Sequence, residues 1–499
     1  MKAVILAAGL GTRLISLTRE KPKCLIRVAG KSILDYQIDA YYKAGIQEIV
    51  IVGGYKINMI KEHIKKYKRP KIKILYNKDF NITNNMYSFY LARKEIEGQE
   101  IIVSNGDVVF DPSIIYDLVH SDEKDLIACD KGSYNDESMK IIVGPEGYVS
   151  DISKKISKEV AYGNSIDLYK FSQRSCSLLL KEASKIIEKE HNMKDWFEIV
   201  LQRLLIGSLL KMRPFDINKR PWTEIDNIED LLEADLLFNS LGSLNNKKLF
   251  FIDLDGTVYL GDKPINGAKK FIEKLRKLNK LIYFLSNNSS KSKDDYVRKM
   301  NKMGIRVNKD EIVLSTDGVI KFLLDEKIKD IYVIGTRSMK KSFKEAGFNI
   351  DSRRPKYIVL GYDTEITYEK ISRAAILMQK KVPLIATHCD LVCPSKNGPI
   401  PDIGSILAML KKATNIEPGK IFGKPNKEMV LHILKKHNLH SDDCVLIGDR
   451  LYTDMKLAER IGCSFICVLS GETKREDIEN SNYWPDLVVK NLGDLINLF

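Results

Sequence analysis

The sequence predicts an α/β protein with two doubly wound, Rossmann-like domains, one in each half of a 499-residue chain. Short apolar runs that end in small or polar residues alternate with helical stretches in both halves, as expected of buried parallel strands and their crossover helices. A small-polar segment, residues 242–248, separates the halves, and the alternation restarts behind it. No repeat period links the halves, so we expect a fusion of two different domains rather than a duplication.

In the first half, four apolar runs predict parallel strands, and an amphipathic stretch between the first two predicts a helix. Leu34, Ile38 and Tyr41 recur at helical spacing, and Gly45 supplies the stop at the helix C-terminus. The predicted strands are 3–9, 48–54, 72–77 and 101–107. Ligands of such a sheet bind outside the carboxyl ends of its strands, so a site is expected at that edge.

The second half repeats this alternation of strands and helices. Its predicted strands are 249–255, 281–288, 444–449 and 464–470. A helical stretch, residues 227–241, comes just before the small-polar segment. We therefore place the first domain at residues 1–241, a linker at residues 242–248, and the start of the second domain at residue 249.

Composition narrows the classes of function. No apolar run is long enough to span a bilayer and the N-terminus lacks the pattern of a secretory signal, so a cytoplasmic enzyme without membrane insertion is expected. The formal charge of +14 favours phosphorylated partners, but the densest basic run, residues 65–73, lacks any nucleic-acid module, so no nucleic-acid partner is predicted. Eight cysteines without a CxxC pair indicate packed, reduced thiols rather than structural zinc or disulfides.

The segment LAAGLGTRLISLTREKPKCLIRVAGKSIL, residues 6–34, carries the strongest signal of the first half. Glycine lacks a Cβ, so backbone N–H groups of a glycine-rich turn can approach a phosphate closely. Arg13 and Lys23 follow this turn and are two cations suited to the charge of a triphosphate. The predicted nucleotide-binding residues are Leu6, Ala8, Gly9, Gly11, Thr12, Arg13 and Lys23.

This segment resembles the nucleoside-triphosphate:sugar-1-phosphate nucleotidyltransferase superfamily, whose pattern is LAAGxGTRL followed by PKxLxxVxGKxxL. Within that superfamily, residues 76–92 and 222–231 are most similar to the choline-phosphate cytidylyltransferase branch. The resemblance extends over roughly residues 1–240 and favours CTP as the nucleoside triphosphate.

The resemblance implies roles for five charged residues of the first half. Arg13 would hold the β,γ-phosphates and Lys23 the α-phosphate of the nucleotide. Asp107 and Asp226 would ligate Mg²⁺, with Glu224 near the second ligand. A substrate phosphate monoester is already nucleophilic at neutral pH, so the transfer needs alignment and charge neutralisation rather than a general base.

The acceptor of the nucleotidyl group is defined by fewer residues. Choline-type enzymes hold a quaternary ammonium against aromatic faces, and Trp196, Trp222 and Tyr87 are the candidates for such a cage. The alternative for each aromatic residue is a place in the core or in a pocket wall. Cys24 departs from the Pro or Leu that follows the PK of sugar enzymes, which loosens the tie to hexose 1-phosphates.

Asp253 and Asp255, in DLDGTVYLG, interrupt the end of a buried strand in the second half. Unpaired charges in a core are costly, so their presence requires a neutralising ligand. Carboxylates two residues apart on a strand point to the same side, while Gly256 and Thr257 turn the chain away.

The stretch matches DxDGT, the nucleophile motif of the haloacid dehalogenase superfamily, which the second half therefore resembles, and three further motifs follow in the family order. They supply Ser286 and Asn287 in FLSNNSSKS, Lys424 in GKPN, and Asp449 and Asp454 in LIGDRLYTDMKLA. The resemblance implies that Ser286 and Lys424 stabilise the phosphoryl oxygens and the nucleophile, with Asn287 near the substrate.

The same resemblance implies a two-step hydrolysis at the aspartates. Asp253 would attack phosphorus to form an aspartyl-phosphate, and Asp255 would protonate the leaving alcohol and later deprotonate water. Asp449, Asp253 and the backbone carbonyl of Asp255 would hold Mg²⁺, and Asp454 would support that shell.

The long interval between the second and third motifs must contain a cap. Residues 359–406 resemble the α/β cap of the p-nitrophenyl phosphatase and phosphoglycolate phosphatase subgroup. We place the cap at residues 310–415 and the phosphatase core at residues 249–309 and 416–499. Such a cap would exclude water and select small phosphates.

A few residues of the predicted cap are candidate substrate contacts. They are Asp363 and the loop at residues 398–405, although Asp402 stands where the family more often has Gly. His388 and Cys389 are predicted cap-wall residues, because two neighbouring ligand-type residues without a partner do not make a metal site.

The motifs together predict a bifunctional enzyme with Mg²⁺ in both active sites. It would transfer a nucleotidyl group, from CTP by preference, to a phosphorylated alcohol, alditol, choline or sugar, and would hydrolyse a small phosphomonoester. One alternative is a sugar-1-phosphate transferase that uses UTP or dTTP, and another is a phosphatase whose first domain only binds nucleotide. A homo-oligomer is compatible with the sequence.

Overall fold

The computed structural model describes residues 1–242, 244–393, 398 and 400–499. It contains two compact units, which we call the N-terminal unit (Met1–Asn239 with Glu479–Ser481) and the C-terminal unit (Ser240–Ile478 with Asn482–Phe499). Both have α/β folds with parallel strands, which confirms the predicted fold class. Within the described residues, no helix has the length and apolar character needed to cross a membrane.

A nine-stranded sheet forms the centre of the N-terminal unit, in the order β10-β9-β11-β6-β1-β4-β5, with β8 beside β11 and β12 beside β8. Strands β1, β4, β5 and β6 are mutually parallel, as the sequence predicted. The strands of this unit are β1 (Lys2–Ala7), β2 (Arg27–Val28), β3 (Lys31–Ser32), β4 (Glu48–Gly53), β5 (Lys71–Tyr76), β6 (Ile101–Asn105), β7 (Val108–Phe110), β8 (Leu126–Lys131), β9 (Lys140–Val143), β10 (Val149–Ser153), β11 (Gly163–Phe171), β12 (Arg213–Asp216) and β13 (Trp222–Glu224).

Helices cover both faces of this sheet and create a core on each side. Val4 and Leu6 of β1 pack into one core, and Ala3 and Ile5 pack into the other. This two-sided burial explains why the strand is a continuous apolar run rather than an alternating one. The helices of the unit are α1 (Ile15–Thr18), α2 (Ile33–Lys43), α3 (Ile57–Ile64), α4 (Asn85–Leu91), α5 (Arg93–Ile96), α6 (Pro112–His120), α7 (Gln173–Ser184), α8 (Phe197–Ile206) and α9 (Ile228–Phe238).

The sheet is mixed, which the sequence did not predict. Strand β11 runs antiparallel to β6, β8 and β9. Asp167 lies in the middle of β11 with a φ of 55°, at the point where the register against β8 shifts. This irregularity matters for function, because it sets a carboxylate beside the carboxyl end of β6.

A buried carboxylate ties α2 to the segment that follows α3. Asp35 accepts hydrogen bonds from Lys66 Nζ and the Tyr67 hydroxyl, each at 2.8 Å, and His63 Nε2 lies 2.8 Å from its Oδ1. Burial would raise the pKa of Asp35, but these partners hold it well below its ordinary value. The ionised form of Asp35 is therefore part of the folded structure.

Replacing Asp35 with Asn is expected to lower the unfolding free energy of the N-terminal unit by about 2 kcal/mol at pH 7, because hydrogen bonds to a charged group are lost. A depressed pKa contributes stability that is present above the unfolded value of about 3.9 and is lost as the pH falls. The difference between wild type and variant should therefore shrink as the pH drops below about 4 in urea unfolding curves. Glu62→Gln, on the exposed face of α3, is the control. A gap that widens in acid would contradict the prediction.

The C-terminal unit has a parallel core sheet of six strands, in the order β18-β17-β14-β25-β26-β27. All five residues of β14 are buried, and its last residue is Asp253. The strands of the unit are β14 (Leu249–Asp253), β15 (Tyr259–Leu260), β16 (Lys263–Pro264), β17 (Leu281–Ser286), β18 (Ile312–Leu314), β19 (Ile331–Ile334), β20 (Tyr357–Leu360), β21 (Leu384–Ala386), β22 (Val392–Cys393), β23 (Ile400–Pro401), β24 (Lys420–Ile421), β25 (Cys444–Gly448), β26 (Ser464–Val468) and β27 (Leu487–Val489).

A second parallel sheet, in the order β19-β20-β21-β24, forms the cap within the C-terminal unit. The cap was predicted at residues 310–415. Strand β18 lies within these limits but belongs to the core sheet, and strand β24 lies beyond them but belongs to the cap sheet. Two- and three-residue strands carry too little pattern to indicate which sheet they join. The helices that come after α9 in the chain are α10 (Ala268–Lys277), α11 (Lys293–Lys302), α12 (Ser315–Asp325), α13 (Arg337–Glu345), α14 (Tyr368–Gln379), α15 (Ile403–Thr414), α16 (Glu428–His437), α17 (Lys456–Ile461) and α18 (Arg475–Glu479).

Candidate active sites

The first candidate site lies beyond the carboxyl ends of β1 and β6. Lys23 Nζ donates hydrogen bonds to Asp107 Oδ2 and Asp226 Oδ1, each at 2.7 Å. Arg13 Nη1 donates to Asp226 Oδ2 at 2.8 Å and to Glu137 Oε2 at 3.2 Å. The fold thus brings together the two predicted phosphate-binding cations and the two predicted aspartate ligands.

The charges of this cluster depend on one another. Burial alone would lower the pKa of Lys23, but Asp107 and Asp226 raise it above its ordinary value. Burial likewise opposes ionisation of Asp226, whose pKa is nevertheless held low by Lys23 and Arg13. Burial together with the neighbouring carboxylates raises the pKa of Glu224 to about 9, although the charge of Lys23 opposes this rise.

The three acidic residues of the cluster fit a divalent cation. Asp107, Glu224 and Asp226 each offer an oxygen, and these atoms lie within 4.8 Å of one another. Among the described residues, Asp107 Oδ1 is buried and has no hydrogen-bond partner. A buried oxygen left unsatisfied beside two further carboxylates is a donor set that Mg²⁺ prefers.

The glycine-rich turn folds over Lys23. Gly11 has a φ of 64°, and a Cβ at this position would lie 2.8 Å from Thr18 Cγ2 and 3.2 Å from Lys23 Cβ. Only glycine meets both the backbone and the space requirement. Thr12 and Arg13 belong to the helical turn that follows, Thr12–Leu14.

A cavity of about 190 Å³ adjoins this cluster. Of the predicted site residues, Leu6, Ala8, Gly9, Asp107, Glu224 and Trp196 line it. Other lining residues were not predicted, and these come from loops, from β6 and β11 and from helices α4 and α8. They include Asn77, Asn85, Asn105, Lys154, Asp167 and Glu198.

Asp167 and Glu198 make the inner wall of this cavity acidic. Asn105 Nδ2 donates to Asp167 Oδ2 at 2.9 Å, and the Tyr169 hydroxyl lies 3.2 Å from Asp167 and 3.1 Å from Glu198. Burial and the charge of Glu198 raise the pKa of Asp167 to about 8, and burial also raises the pKa of Glu198. The position of Asp167 within an apolar strand was the only sequence signal for this wall.

The predicted aromatic cage is not assembled by the described residues. Trp196 lines the cavity, with Lys154 Nζ 5.1 Å from its ring centre. Tyr87 instead packs against the core on one face of the sheet, and Trp222, in β13, packs against the core on the other. The prediction of a three-residue cage is corrected to a single aromatic wall, because the other two rings complete the hydrophobic cores.

The second candidate site is built at the end of β14. Lys424 Nζ donates hydrogen bonds to Asp253 Oδ1 and, at 2.6 Å, to Asp454 Oδ1. Burial would lower the pKa of Lys424, but these two carboxylates raise it. Burial and repulsion from Asp253 raise the pKa of Asp449 well above its ordinary value, and burial raises that of Asp454 to about 6 although Lys424 opposes it.

This cluster also fits a divalent cation. Asp253, Asp449 and Asp454 offer oxygens within 4.8 Å of one another, and in the described part of the chain Asp449 Oδ1 is buried without a hydrogen-bond partner. Gly256 has a φ of 89°, and a Cβ there would lie 2.4 Å from Asp449 Oδ2. Glycine in the DxDGT turn therefore keeps open the space that Asp449 needs.

The remaining predicted residues of the second site occupy its wall. Asp255 follows the strand, and burial raises its pKa although Lys299 opposes this. Ser286 Oγ lies 3.2 Å from the Tyr296 hydroxyl. Asn287 Oδ1 accepts a hydrogen bond from the Lys424 backbone N–H at 2.7 Å, so Asn287 also fixes the loop that carries the lysine.

A cavity of about 280 Å³ joins these groups to the cap. Arg450, Asp390 and Glu472 line it and were missed as site residues. Arg450 Nη1 donates to Asp390 Oδ2 at 3.2 Å, and its Nε lies 2.9 Å from Glu472 Oε2. Arg450 stands next to Asp449 in LIGDRLYTDMKLA, a signal that could have identified it.

The predicted cap contacts separate into two groups. Asp363 does not line the cavity: it pairs with Lys370 at 2.8 Å and accepts the Glu365 N–H at 2.9 Å, so this prediction is corrected to a structural role in the turn after β20. Asp402 does line the cavity, while Pro399 of the same loop lies outside the described residues. His388 is fully buried and Cys389 is exposed.

Comparisons with known families match both halves. The family described as Nucleotidyl transferase matches residues 2–238. The family described as Haloacid dehalogenase-like hydrolase matches residues 250–349, and a HAD-hydrolase-like family matches residues 421–495.

Individual relatives cover about half of the chain. An acid sugar phosphatase of Staphylococcus saprophyticus is 31% identical over 255 residues, which are 51% of this chain and 98% of that protein. A second acid sugar phosphatase, from Staphylococcus haemolyticus, is 30% identical and is covered to 97%. The crystal structure of a 4-nitrophenylphosphatase from Thermotoga maritima is 42% identical with a TM-score of 0.50, over 51% of this chain and 98% of that one. The chain therefore belongs to the haloacid dehalogenase-like hydrolases through its C-terminal half, which is fused to a nucleotidyl transferase domain.

Proposed function

We propose that the chain is a bifunctional enzyme, a Mg²⁺-dependent nucleotidyltransferase with CTP as its preferred substrate and a Mg²⁺-dependent phosphatase. One observation carries the proposal. In each unit a lysine whose side chain is no more than 12% exposed lies between two carboxylates near the carboxyl ends of parallel strands, and among the described residues each of these clusters contains a buried carboxylate oxygen without a hydrogen-bond partner. Perturbed charges of this kind, gathered in a cleft, are typical of active sites.

In the transferase reaction, an oxygen of the acceptor phosphate attacks the α-phosphorus of the nucleotide. The bond between the α-phosphorus and its bridging oxygen breaks, and pyrophosphate leaves. Arg13 and Lys23 neutralise the charge of the phosphate oxygens. In the chain without nucleotide both cations contact Asp226, and the phosphate oxygens of a bound nucleotide take the place of Asp226 in these contacts. The exchange prepares Asp107 and Asp226 to act as cation ligands.

In the phosphatase reaction, a carboxylate oxygen of Asp253 attacks phosphorus and Asp255 gives a proton to the departing alcohol oxygen. Water then attacks the aspartyl-phosphate, Asp255 takes a proton from that water, and phosphate leaves with Asp253 restored. Lys424 neutralises the nucleophile before and after the reaction. The raised pKa of Asp255 favours the protonated form that the first step requires.

Mg²⁺ would supply charge neutralisation and alignment of the phosphate group at both sites. In the transferase it would be held by Asp107 and Asp226, with Glu224 nearby. In the phosphatase it would be held by Asp253, Asp449 and the carbonyl of Asp255. Asp454, which pairs with Lys424, would support the second set.

The walls of the cavities favour small polar substrates. Asp167, Glu198 and Trp196 suit an acceptor whose alcohol part carries a positive charge or hydroxyl groups. For the phosphatase, the names of the relatives, acid sugar phosphatase and 4-nitrophenylphosphatase, support small phosphomonoesters. Because hydrolysis of the transferase's own acceptor would be self-defeating, we propose that the phosphatase acts on a different metabolite of the same pathway.

The test is pyrophosphate release by the full-length chain carrying Asp253→Asn, which silences the phosphatase. CTP, UTP, dTTP and ATP are each combined with choline, glycerol, alditol and sugar phosphates in Mg²⁺. We expect release with CTP and one alcohol phosphate, and loss of that release in EDTA or with Asp107→Ala.

Release with UTP or dTTP and a sugar 1-phosphate would replace the cytidylyl proposal with the sugar-nucleotide alternative. Absence of release from every pair, with CTP still raising the melting temperature, would leave the first domain as a nucleotide-binding module.

A further inference from the structure

A strained backbone conformation places a carboxylate in the wall of the transferase cavity. Asp167 has a φ of 55°, although it lies in the middle of β11 between the fully buried residues Ile166 and Leu168. Strain of this kind persists only where the surrounding structure enforces it, and it is concentrated at functional sites. Glycine would adopt the same backbone without a Cβ, so it is the carboxylate that requires an explanation. Asp167 lines the cavity that Asp107 also lines.

Asp167 and Glu198, which both line this cavity, compete for a single donor. The Tyr169 hydroxyl lies 3.2 Å from Asp167 Oδ1 and 3.1 Å from Glu198 Oε1. A hydroxyl has one proton, so Tyr169 can donate to only one of these two oxygens at a time. In the part of the chain that the structure describes, no Lys or Arg side chain forms an ion pair with either acid. The cations Arg13 and Lys23 pair with other carboxylates.

A metal ion is a poor match for this pair of acids. The candidate metal site of the cavity is the group of Asp107, Glu224 and Asp226, whose oxygens lie within 4.8 Å of one another. Neither Asp167 nor Glu198 belongs to a group of three such ligand atoms anywhere in the described ranges. Two carboxylates beside a shared hydroxyl suit instead a cation that donates hydrogen bonds. Such a cation would also lower the pKa of Asp167, which burial and Glu198 raise to about 8, and would favour the ionised carboxylate.

The aromatic residues of the cavity do not suit a quaternary ammonium group. Such a group has no N–H and binds to aromatic faces. Of the predicted cage residues, Trp196 lines the cavity, and Lys154 Nζ already lies 5.1 Å from its ring centre. A second cation against that ring would be repelled by Lys154. An ammonium group with N–H bonds needs no cage, because it can donate directly to Asp167 and Glu198.

We propose that Asp167 and Glu198 form an ammonium-binding subsite, and that the acceptor of the transferase is the phosphate monoester of a small amino alcohol whose nitrogen carries N–H bonds. Because both acids contact the same hydroxyl, one ammonium group on their side of the cavity meets both negative charges. A cavity of about 190 Å³ suits so small a molecule. A polyol offers hydroxyls but no charge that neutralises two buried acids. The inference rests on the proposed transferase function and narrows its acceptors.

The experiment compares three acceptors of the full-length chain carrying Asp253→Asn, with CTP and Mg²⁺ and with pyrophosphate release as the readout. Ethanolamine phosphate offers an ammonium group, ethylene glycol monophosphate has a hydroxyl in the same place, and choline phosphate has a quaternary nitrogen. The kcat/KM for ethanolamine phosphate should exceed that for either of the others by at least about tenfold, because a site built for a hydrogen-bonding group leaves its polar atoms unpaired without one.

Asp167→Asn keeps the shape of the side chain and tolerates the left-handed backbone, but removes the charge. The preference for ethanolamine phosphate over ethylene glycol monophosphate should fall at least about tenfold in this variant, mainly through KM, because a hydrogen bond between two charged groups is lost. A merely structural role would lower kcat/KM for both acceptors alike. Asp122→Asn, at an exposed position of the same unit, is the control and should keep the preference.

Equal or better use of ethylene glycol monophosphate or choline phosphate would overturn the inference, whether or not Asp167→Asn folds. An unchanged preference in an Asp167→Asn variant with the wild-type melting temperature would overturn it as well. Pyrophosphate release with sugar phosphates alone would leave the transferase function in place and remove the ammonium subsite. Absence of release from every nucleotide and acceptor would instead remove the transferase function, and the inference with it.

Discussion

Asp253→Asn is expected to lower kcat for phosphomonoester hydrolysis by about 10⁴-fold or more, because the amide cannot form the aspartyl-phosphate. Asn has the same shape and can still accept a hydrogen bond from Lys424, so the cluster at the end of β14 should remain folded. The measurement is phosphate release from p-nitrophenyl phosphate and from glycerol 1-phosphate, with the melting temperature recorded for the same preparations.

The control for this variant is Asp325→Asn, which removes an exposed carboxylate of α12 that pairs with Lys321. It should hydrolyse both compounds at the wild-type rate. Pyrophosphate release by Asp253→Asn should also be unchanged, because the transferase cluster belongs to the other unit. Residual hydrolysis within about tenfold of wild type would mean that Asp253 is not the nucleophile.

Lys23→Met is expected to lower kcat/KM for nucleotidyl transfer by about 10³-fold, since one preorganised cation at a transferred phosphoryl group contributes about that much. The methionine side chain fills a similar volume but leaves Asp107 and Asp226 without their shared partner. The unneutralised negative charges of the two aspartates then repel an approaching triphosphate. The rates are measured as pyrophosphate release in the Asp253→Asn background.

Lys43→Met, at the exposed end of α2, is the matched control and should retain full transfer activity. Lys23→Arg should recover part of the lost rate, because the charge returns in a different geometry. A Lys23→Met enzyme with wild-type kcat/KM would remove Lys23 from the proposed mechanism and would leave it a purely structural role between the two aspartates.

The fold class and the fusion were predictable because patterns within short stretches of sequence indicate them. Apolar runs that end in polar residues predicted the parallel strands β1, β4 and β6, and the same pattern predicted β14 and β17. Ordered motifs gave the two families that the comparisons match. The antiparallel strand β11 was not predicted, because its pairing with β6 depends on the position of the whole sheet rather than on its own residues.

The candidate sites were predictable wherever a motif ends a strand. Asp107 and Asp226 stand 84 and 203 residues after Lys23, yet the three meet. Strand β1, which precedes Lys23, pairs with β6, and β13, which precedes Asp226, pairs with β7 directly after Asp107. Residues outside such motifs could not be assigned in this way. Tyr87 and Trp222 are aromatic residues of the kind that form a ligand cage, but their rings pack against the cores on the two faces of the sheet.

Strand periodicity and motif order are properties of neighbouring residues, so the two α/β halves and the charged residues that end their strands could be predicted from the sequence. Packing between distant segments sets which of the remaining polar groups face a cavity. Asp363 pairs with Lys370 close by in the chain, whereas Asp402 lines the phosphatase cavity. Whether a polar group has a partner depends on distances between distant segments, and these are fixed only when helices and sheets pack together.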